Sequence, residues 1–169
     1  MQLISSLEFG GAERLAVTIS AQLPKDLFAA SVCSFYGREG PLVEDLKKNG
    51  IQYYYLDAGC RKKTAVLSNL HKLLRQQRVD ILQIHGAYFL LHCFPVAWFA
   101  GVNVVYTEHA QQSITHFASS KFAARFFSRK SEKVVCVSRK LANFFLYDLR
   151  VPEEKLQVIH NGIDVARFH

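Results

Sequence analysis

The sequence predicts an α/β domain built on a doubly wound parallel sheet of six to seven strands, with helices covering both faces. Two observations carry this. Short apolar runs recur along the whole chain, and nearly every one is followed by a stretch of helical periodicity. The runs are continuously apolar, as in residues 28–35 (FAASVCSF), 51–56 (IQYYYL) and 103–107 (NVVYT), not alternating. That is the signature of parallel strands buried on both faces. Right-handed crossovers then wind such strands into a Rossmann-like sheet.

Taken in order, Leu3 and Ile4 end a first strand, and Gly10-Gly11 opens a helix that stops at Pro24, which cannot continue it. Residues 28–35 form the second strand, and 37–41 a turn. Leu42, Val43 and Leu46 mark a short helix closed by Asn49-Gly50. The third strand covers 51–56, a basic loop 57–63, and a helix 65–77 with Val66, Leu67, Leu70, Leu73 and Leu74 on one face. The fourth strand is 79–85. An apolar helix over 88–100 follows, bent or begun near Pro95. The fifth strand, 103–107, ends at Glu108-His109, and 113–120 is a polar loop. A basic helix spans 119–130, the sixth strand 133–137, and Ser138 caps a helix reaching Leu149. A seventh short strand, 156–159, leads into the turn at Asn161-Gly162.

The 169 residues suffice for one domain with a real core. The net charge of +7 and pI near 9.3 favour anionic partners such as sugar phosphates, anionic lipid or nucleic acid. Cys33, Cys60, Cys93 and Cys136 have no metal-ligand spacing and no secretory leader before them, so Cys33 and Cys136 read as buried thiols in a reducing, cytoplasmic setting. The apolar stretch 87–100 is shorter than the roughly 20 residues of a spanning helix. No carboxylate or cysteine joins His85, His92, His109 or His116 into a zinc set, and no Gly-x-Ser-x-Gly elbow is present.

Ligands of a doubly wound sheet bind at the carboxyl ends of the strands, where strand order reverses. With the order 3-2-1-4-5-6 that place lies between the first and fourth strands. Gly10 and Gly11 stand there, their backbone amides at a helix start suited to phosphate, although a glycine pair also serves as a plain turn. His85 follows the fourth strand, Glu108 and His109 the fifth, Ser138 and Arg139 the sixth. His109 ends its strand in the pocket position and titrates near neutrality. Glu108 reads as an ion-pair partner or a solvated carboxylate. Arg139 and Lys140 sit at the positive end of a helix, an unfavourable place for cations unless an anion is near.

With these pieces in place, the sequence resembles the N-terminal domain of glycosyltransferase family 4 (group 1) enzymes of GT-B fold. The resemblance rests on an ordered set: Gly10-Gly11-Ala12-Glu13, Gly40-Pro41-Leu42, residues 79–85 (VDILQIH), Tyr106-Thr107-Glu108-His109, Val135-Cys136-Val137-Ser138 and residues 158–164 (VIHNGID). It implies an acceptor-binding domain over 1–160 and the start of an interdomain linker over 161–169. The family's donor domain, with its basic diphosphate ligands and spaced glutamate pair, has no counterpart here, so the chain alone is expected to be inactive. The resemblance further implies sugar transfer with retention from a nucleotide sugar to a glycan or lipid-linked acceptor, with no metal. Gly10 and Gly11 would approach the donor diphosphate. His109 would lie beside the transferred sugar, either hydrogen-bonding it or holding the positive ring through its backbone carbonyl. His85, Glu108, Ser138 and Arg139 would line the cleft.

Lys121, Arg125 and Arg129 share one helix face, with Phe122 and Phe126 beside them. A basic amphipathic helix suits peripheral contact with the anionic inner face of a membrane. It also suits an ordinary packed helix with its phenylalanines in the core. Two other functions stand as alternatives: half of another GT-B enzyme such as a nucleotide-sugar epimerase, and a non-enzymatic basic binding module. Nucleic acid is not expected, because the aromatics lie mostly in apolar runs and not on a stacking strip.

Overall fold

The computed structural model describes residues 1–37, 39–58 and 62–162. Seven parallel strands form one sheet in the order β3-β2-β1-β4-β5-β6-β7. The strands are β1 (Gln2–Ile4), β2 (Ser31–Ser34), β3 (Gln52–Tyr55), β4 (Ile81–His85), β5 (Asn103–Glu108), β6 (Lys133–Cys136) and β7 (Leu156–Val158). The order reverses between β1 and β4, as expected, and β7 extends the sheet past β6. β1 therefore pairs with both β2 and β4, Leu3 lying opposite Cys33 on one side and Ile84 on the other.

The helices are α1 (Gly11–Gln22), α2 (Leu42–Lys48), α3 (Lys63–Gln76), α4 (Ala87–Phe99), α5 (Gln111–Thr115), α6 (Ala118–Ser128) and α7 (Arg139–Asn143). They divide the core between the two faces. One buried cluster joins Leu3, Cys33, Ile84 and Tyr106 to side chains of α3, α4 and α6. A smaller one joins Ile4, Leu7 and Val32 to Ala16, Val17 and Leu46 of α1 and α2. Cys33 and Cys136 are buried free thiols, as expected, and burial pushes Cys33 up to about 12. Cys60 lies outside the described residues.

Three elements differ from expectation. α4 begins at Ala87 and runs through Pro95, because its apolar side chains pack against the sheet and against α6 on either side of the proline. Gly86, at φ 90°, supplies the left-handed residue between β4 and that helix. The polar segment 113–120 contains the end of α5 and the start of α6, with buried Ile114 anchoring it. The helix opened by Ser138 passes into a π-helical turn over Phe144–Asp148, closed by Leu149 N–H to the Phe144 carbonyl at 3.1 Å. Arg150 then takes a positive φ of 54°.

Candidate functional site

The rim residues come together as the strand order requires. His85 Nδ1 lies 2.9 Å from His109 Nε2, and the two rings are within 13° of parallel. On its other side His85 Nε2 meets Gln2 Oε1 at 2.8 Å. An amide oxygen only accepts, so Nε2 of His85 carries the proton and Nδ1 is left to accept. The proton between the rings then belongs to His109 Nε2, and His109 Nδ1 remains as an outward acceptor. Gln2 is itself held in this sense, its Nε2 donating to Gln83 Oε1 at 3.0 Å and Gln83 Nε2 donating to Thr107 Oγ1 at 2.8 Å. A polar ladder across β1, β4 and β5 thus fixes both histidine tautomers.

Burial keeps both rings neutral. His85 is brought down to about 3 by desolvation first and by His109 second. His109 is also lowered by burial, against the opposing pull of Glu108 and Glu13. Burial thus moves His109 below its ordinary imidazole value and favours the uncharged ring. His85, its two nitrogens occupied, orients His109 and does not reach out to a ligand.

Glu108 is neither solvated nor ion-paired, and it does not line an open cleft. It is 1% exposed and accepts five hydrogen bonds. Oε1 takes the His109 N–H at 2.8 Å, the Ala110 N–H at 3.2 Å and the Ser113 hydroxyl at 2.8 Å. Oε2 takes the Ala87 N–H at 3.2 Å and the Tyr106 hydroxyl at 2.5 Å. The carboxylate ties the start of α4, the His109 turn and α5 into one body.

The glycine pair divides in role. Gly10 is extended, with φ −159°, and a Cβ there would collide with Glu13 Oε2, since the Glu13 side chain folds back over it. The Ser5 hydroxyl holds that carboxylate in place. Gly11 starts α1, and a Cβ there would meet nothing within 4 Å. The amides of Gly11 and Ala12 precede the first helical bond, from Arg14 N to the Gly10 carbonyl, and are unpaired within the helix.

Ser138 caps α7, accepting the Leu141 N–H at 3.2 Å. It borders a cavity of about 220 Å³ lined also by His109, Gln112 and Lys140. Arg139 is exposed and is not among the lining residues, whereas Lys140 lines the cavity with His109. A second cavity of about 270 Å³ runs between Leu15 and Ile19 of α1 and Gln83, Thr107 and Val135 of the sheet. The polar ladder forms part of its wall. Gln2, Gln83, Thr107 and Glu13 are the site residues that sequence reasoning missed. The available signal was glutamine inside mainly apolar strands, at Gln2 and Gln83 of central β1 and β4, a signal that Gln52 and Gln157 share at the sheet's edge strands.

The model of the family described as Glycosyltransferase Family 4 matches residues 9–167. The chain belongs to glycosyltransferase family 4. Among curated relatives, the Staphylococcus aureus capsular polysaccharide biosynthesis glycosyltransferase CapH is 25% identical over 186 aligned positions, covering 100% of this chain and 48% of CapH. The Escherichia coli UDP-Gal:alpha-D-GlcNAc-diphosphoundecaprenol alpha-1,3-galactosyltransferase is 25% identical over 170 positions, covering 94% and 43%. The chain thus spans about half the length of the curated family 4 relatives it matches. Anabaena HepE, solved in complex with UDP-glucose, superimposes with a TM-score of 0.75 at 18% identity, over 98% of this chain and 44% of HepE. A Methanocaldococcus jannaschii UDP-GlcNAc 2-epimerase shares the fold at a TM-score of 0.64 and 13% identity, over 95% and 46%.

Proposed function

We propose that this family 4 chain is the acceptor-side half of a retaining glycosyltransferase. Together with a donor-binding unit it would move a sugar from a nucleotide sugar to a glycan or lipid-linked acceptor, with no metal. The observation that carries the reading is the His85–His109 pair, which presents one neutral acceptor nitrogen at the strand-order switch beside the open helix start at Gly11. Curated and structural relatives act on or hold uridine-diphosphate sugars, which makes these the first donors to test.

Cleaving the bond between the anomeric carbon and the diphosphate builds negative charge on the leaving group and positive charge on the sugar ring. Amides at the start of α1 are placed to stabilise the first. A neutral His109 accepts a sugar hydroxyl at Nδ1 and adds no positive charge near the developing cation. Lys140, which lines the same cavity as His109, offers the acceptor side a cation. The family match favours transfer over epimerisation, for which the likeness is one of fold alone.

The test is transfer from UDP-glucose or UDP-galactose to an undecaprenyl-diphosphate-linked sugar, run on the complete enzyme. His109→Ala is expected to lower kcat by roughly a hundredfold, in the range of a lost transition-state contact, with the melting temperature nearly unchanged and the wild-type rate insensitive to EDTA. Near-normal turnover of His109→Ala would remove His109 from the site. Turnover by the isolated chain would show that the donor-binding unit is dispensable.

A further inference from the structure

α4 and α6 lie side by side, and their outward faces carry aromatic rings that a packed helix turns inward. The inward positions of α6 are filled by Ser120, Ala123, Ala124, Phe127 and Ser128. Phe122 and Phe126 instead face out, 58% and 44% exposed, stacked on each other at 5.6 Å with 8° between their planes. Trp98 and Phe99, at the end of α4, are 59% and 87% exposed. Lys130 joins the two groups, its ammonium 4.9 Å from the Trp98 ring centre and 5.3 Å from that of Phe126.

The charge of this layer is predominantly positive. Between Asp80 and Glu132 the sequence holds a single acidic residue, Glu108, and its carboxylate is buried at the rim. Lys121, Arg125 and Lys130 stand exposed among the rings. Glu132 comes only at the lower edge, beside Lys130. Arg129 is engaged elsewhere. Its Nε and Nη2 donate to the Arg150 carbonyl at 3.1 and 2.6 Å, satisfying the positive-φ turn after α7.

We infer that the α4–α6 face docks on a bilayer of anionic phospholipid. Exposed aromatics grouped with cations match the headgroup boundary, where rings enter the acyl region and ammonium and guanidinium groups stay with phosphate. No helix among the described residues is long and apolar enough to cross a membrane, so the contact lies in the interface plane. The inference goes beyond the transferase reading and stands without it, because it draws on neither histidine nor on the residues bonded to them.

Trp98 is the sequence's one tryptophan, so its emission reports on this face directly. The purified chain is titrated with mixed phosphatidylcholine–phosphatidylglycerol vesicles, with pure phosphatidylcholine vesicles as control; neither contains a sugar acceptor. The expected result is a blue shift of Trp98 on the mixed vesicles, quenching by lipids brominated in the acyl chain, and weakening by added salt. Phe122→Ser/Phe126→Ser and Lys121→Glu/Arg125→Glu should each reduce affinity at least roughly tenfold, with unchanged thermal unfolding. Unshifted emission at vesicle saturation would overturn the inference, as would equal affinity in both folded double variants. Self-association that Phe122→Ser/Phe126→Ser abolishes, without vesicle binding, would assign the face to a second copy and overturn it too.

Discussion

Glu108→Gln offers a sharp test of how the rim is held. The carboxylate accepts three donors on Oε1 and two on Oε2. A glutamine keeps the shape but turns one of those atoms into a donor. The least costly arrangement puts the amide nitrogen in the Oε2 place, because the Tyr106 hydroxyl can rotate to accept. Ala87 N–H, 3.2 Å from Oε2 in the native protein, then faces another N–H and loses its partner. A buried N–H stranded in this way costs about 1–3 kcal/mol, and weakening the remaining bonds from charged to neutral adds about 1 kcal/mol. The expected destabilisation is therefore about 3 kcal/mol, or roughly 6–12 °C in melting temperature for a domain of this size. Urea and thermal unfolding of the chain measure it. A Glu108→Gln protein within about 0.5 kcal/mol of wild type, the range of an ordinary surface substitution, would refute the reasoning and return Glu108 to the solvated role.

Other predictions follow from the same geometry. His85 is brought down to about 3 on folding, so the unfolded chain binds more protons between there and its ordinary value near 6.5. Stability then falls as pH drops below about 6.5, by about 2 kcal/mol at pH 5 from this ring alone; urea titrations at pH 7 and pH 5 should show it, and His85→Gln should flatten the difference. Gly40→Ala should unfold readily, since a Cβ there would collide with the Leu7 carbonyl oxygen and lie 2.6 Å from Glu8 Cα; wild-type thermal stability would disprove the close approach. Gly11→Ala should leave melting unchanged or raised by up to about 1 kcal/mol, and should still weaken binding of a UDP-sugar to the complete enzyme when followed by calorimetry.

Much of this was legible in the sequence, and for a simple reason. Continuous apolar runs such as 103–107 specify buried parallel strands, and right-handed crossovers then leave few topologies. His85, Glu108, His109 and Ser138 fell at the carboxyl rim because each ends a strand or comes within two residues of one. What could not be read was how side chains share partners. That Glu108 faces five donors depends on α4 starting at Ala87 and on α5, neither of which the local pattern marks. The extent of α4 was hidden by Pro95, whose break signal is overridden by packing on both flanks. On α6 the apolar positions read equally well as core or surface. The answer rested on Ala123 and Ala124, small enough to let α4 and α6 approach closely and leave Phe122 and Phe126 outside.

The glycine pair separates two uses of one residue type. A turn would require glycine for a positive φ, yet that conformation falls to Gly37, Gly50, Gly86 and Gly101, not to Gly10 or Gly11. Gly10 is extended, as any residue can be, and its lack of a side chain makes room for Glu13. Gly11 has open space where its Cβ would be, in a helix that alanine would favour. Neither the backbone nor the packing accounts for glycine at position 11. Close approach of the donor diphosphate in the proposed complex would account for it, since the amides beside Gly11 suit an anion. Glu13 folds its carboxylate over Gly10, so in the proposed complex the anion would sit on the Gly11 side, away from it. Discrimination between the two glycines, with Gly11→Ala harming ligand binding more than Gly10→Ala, follows directly from that geometry.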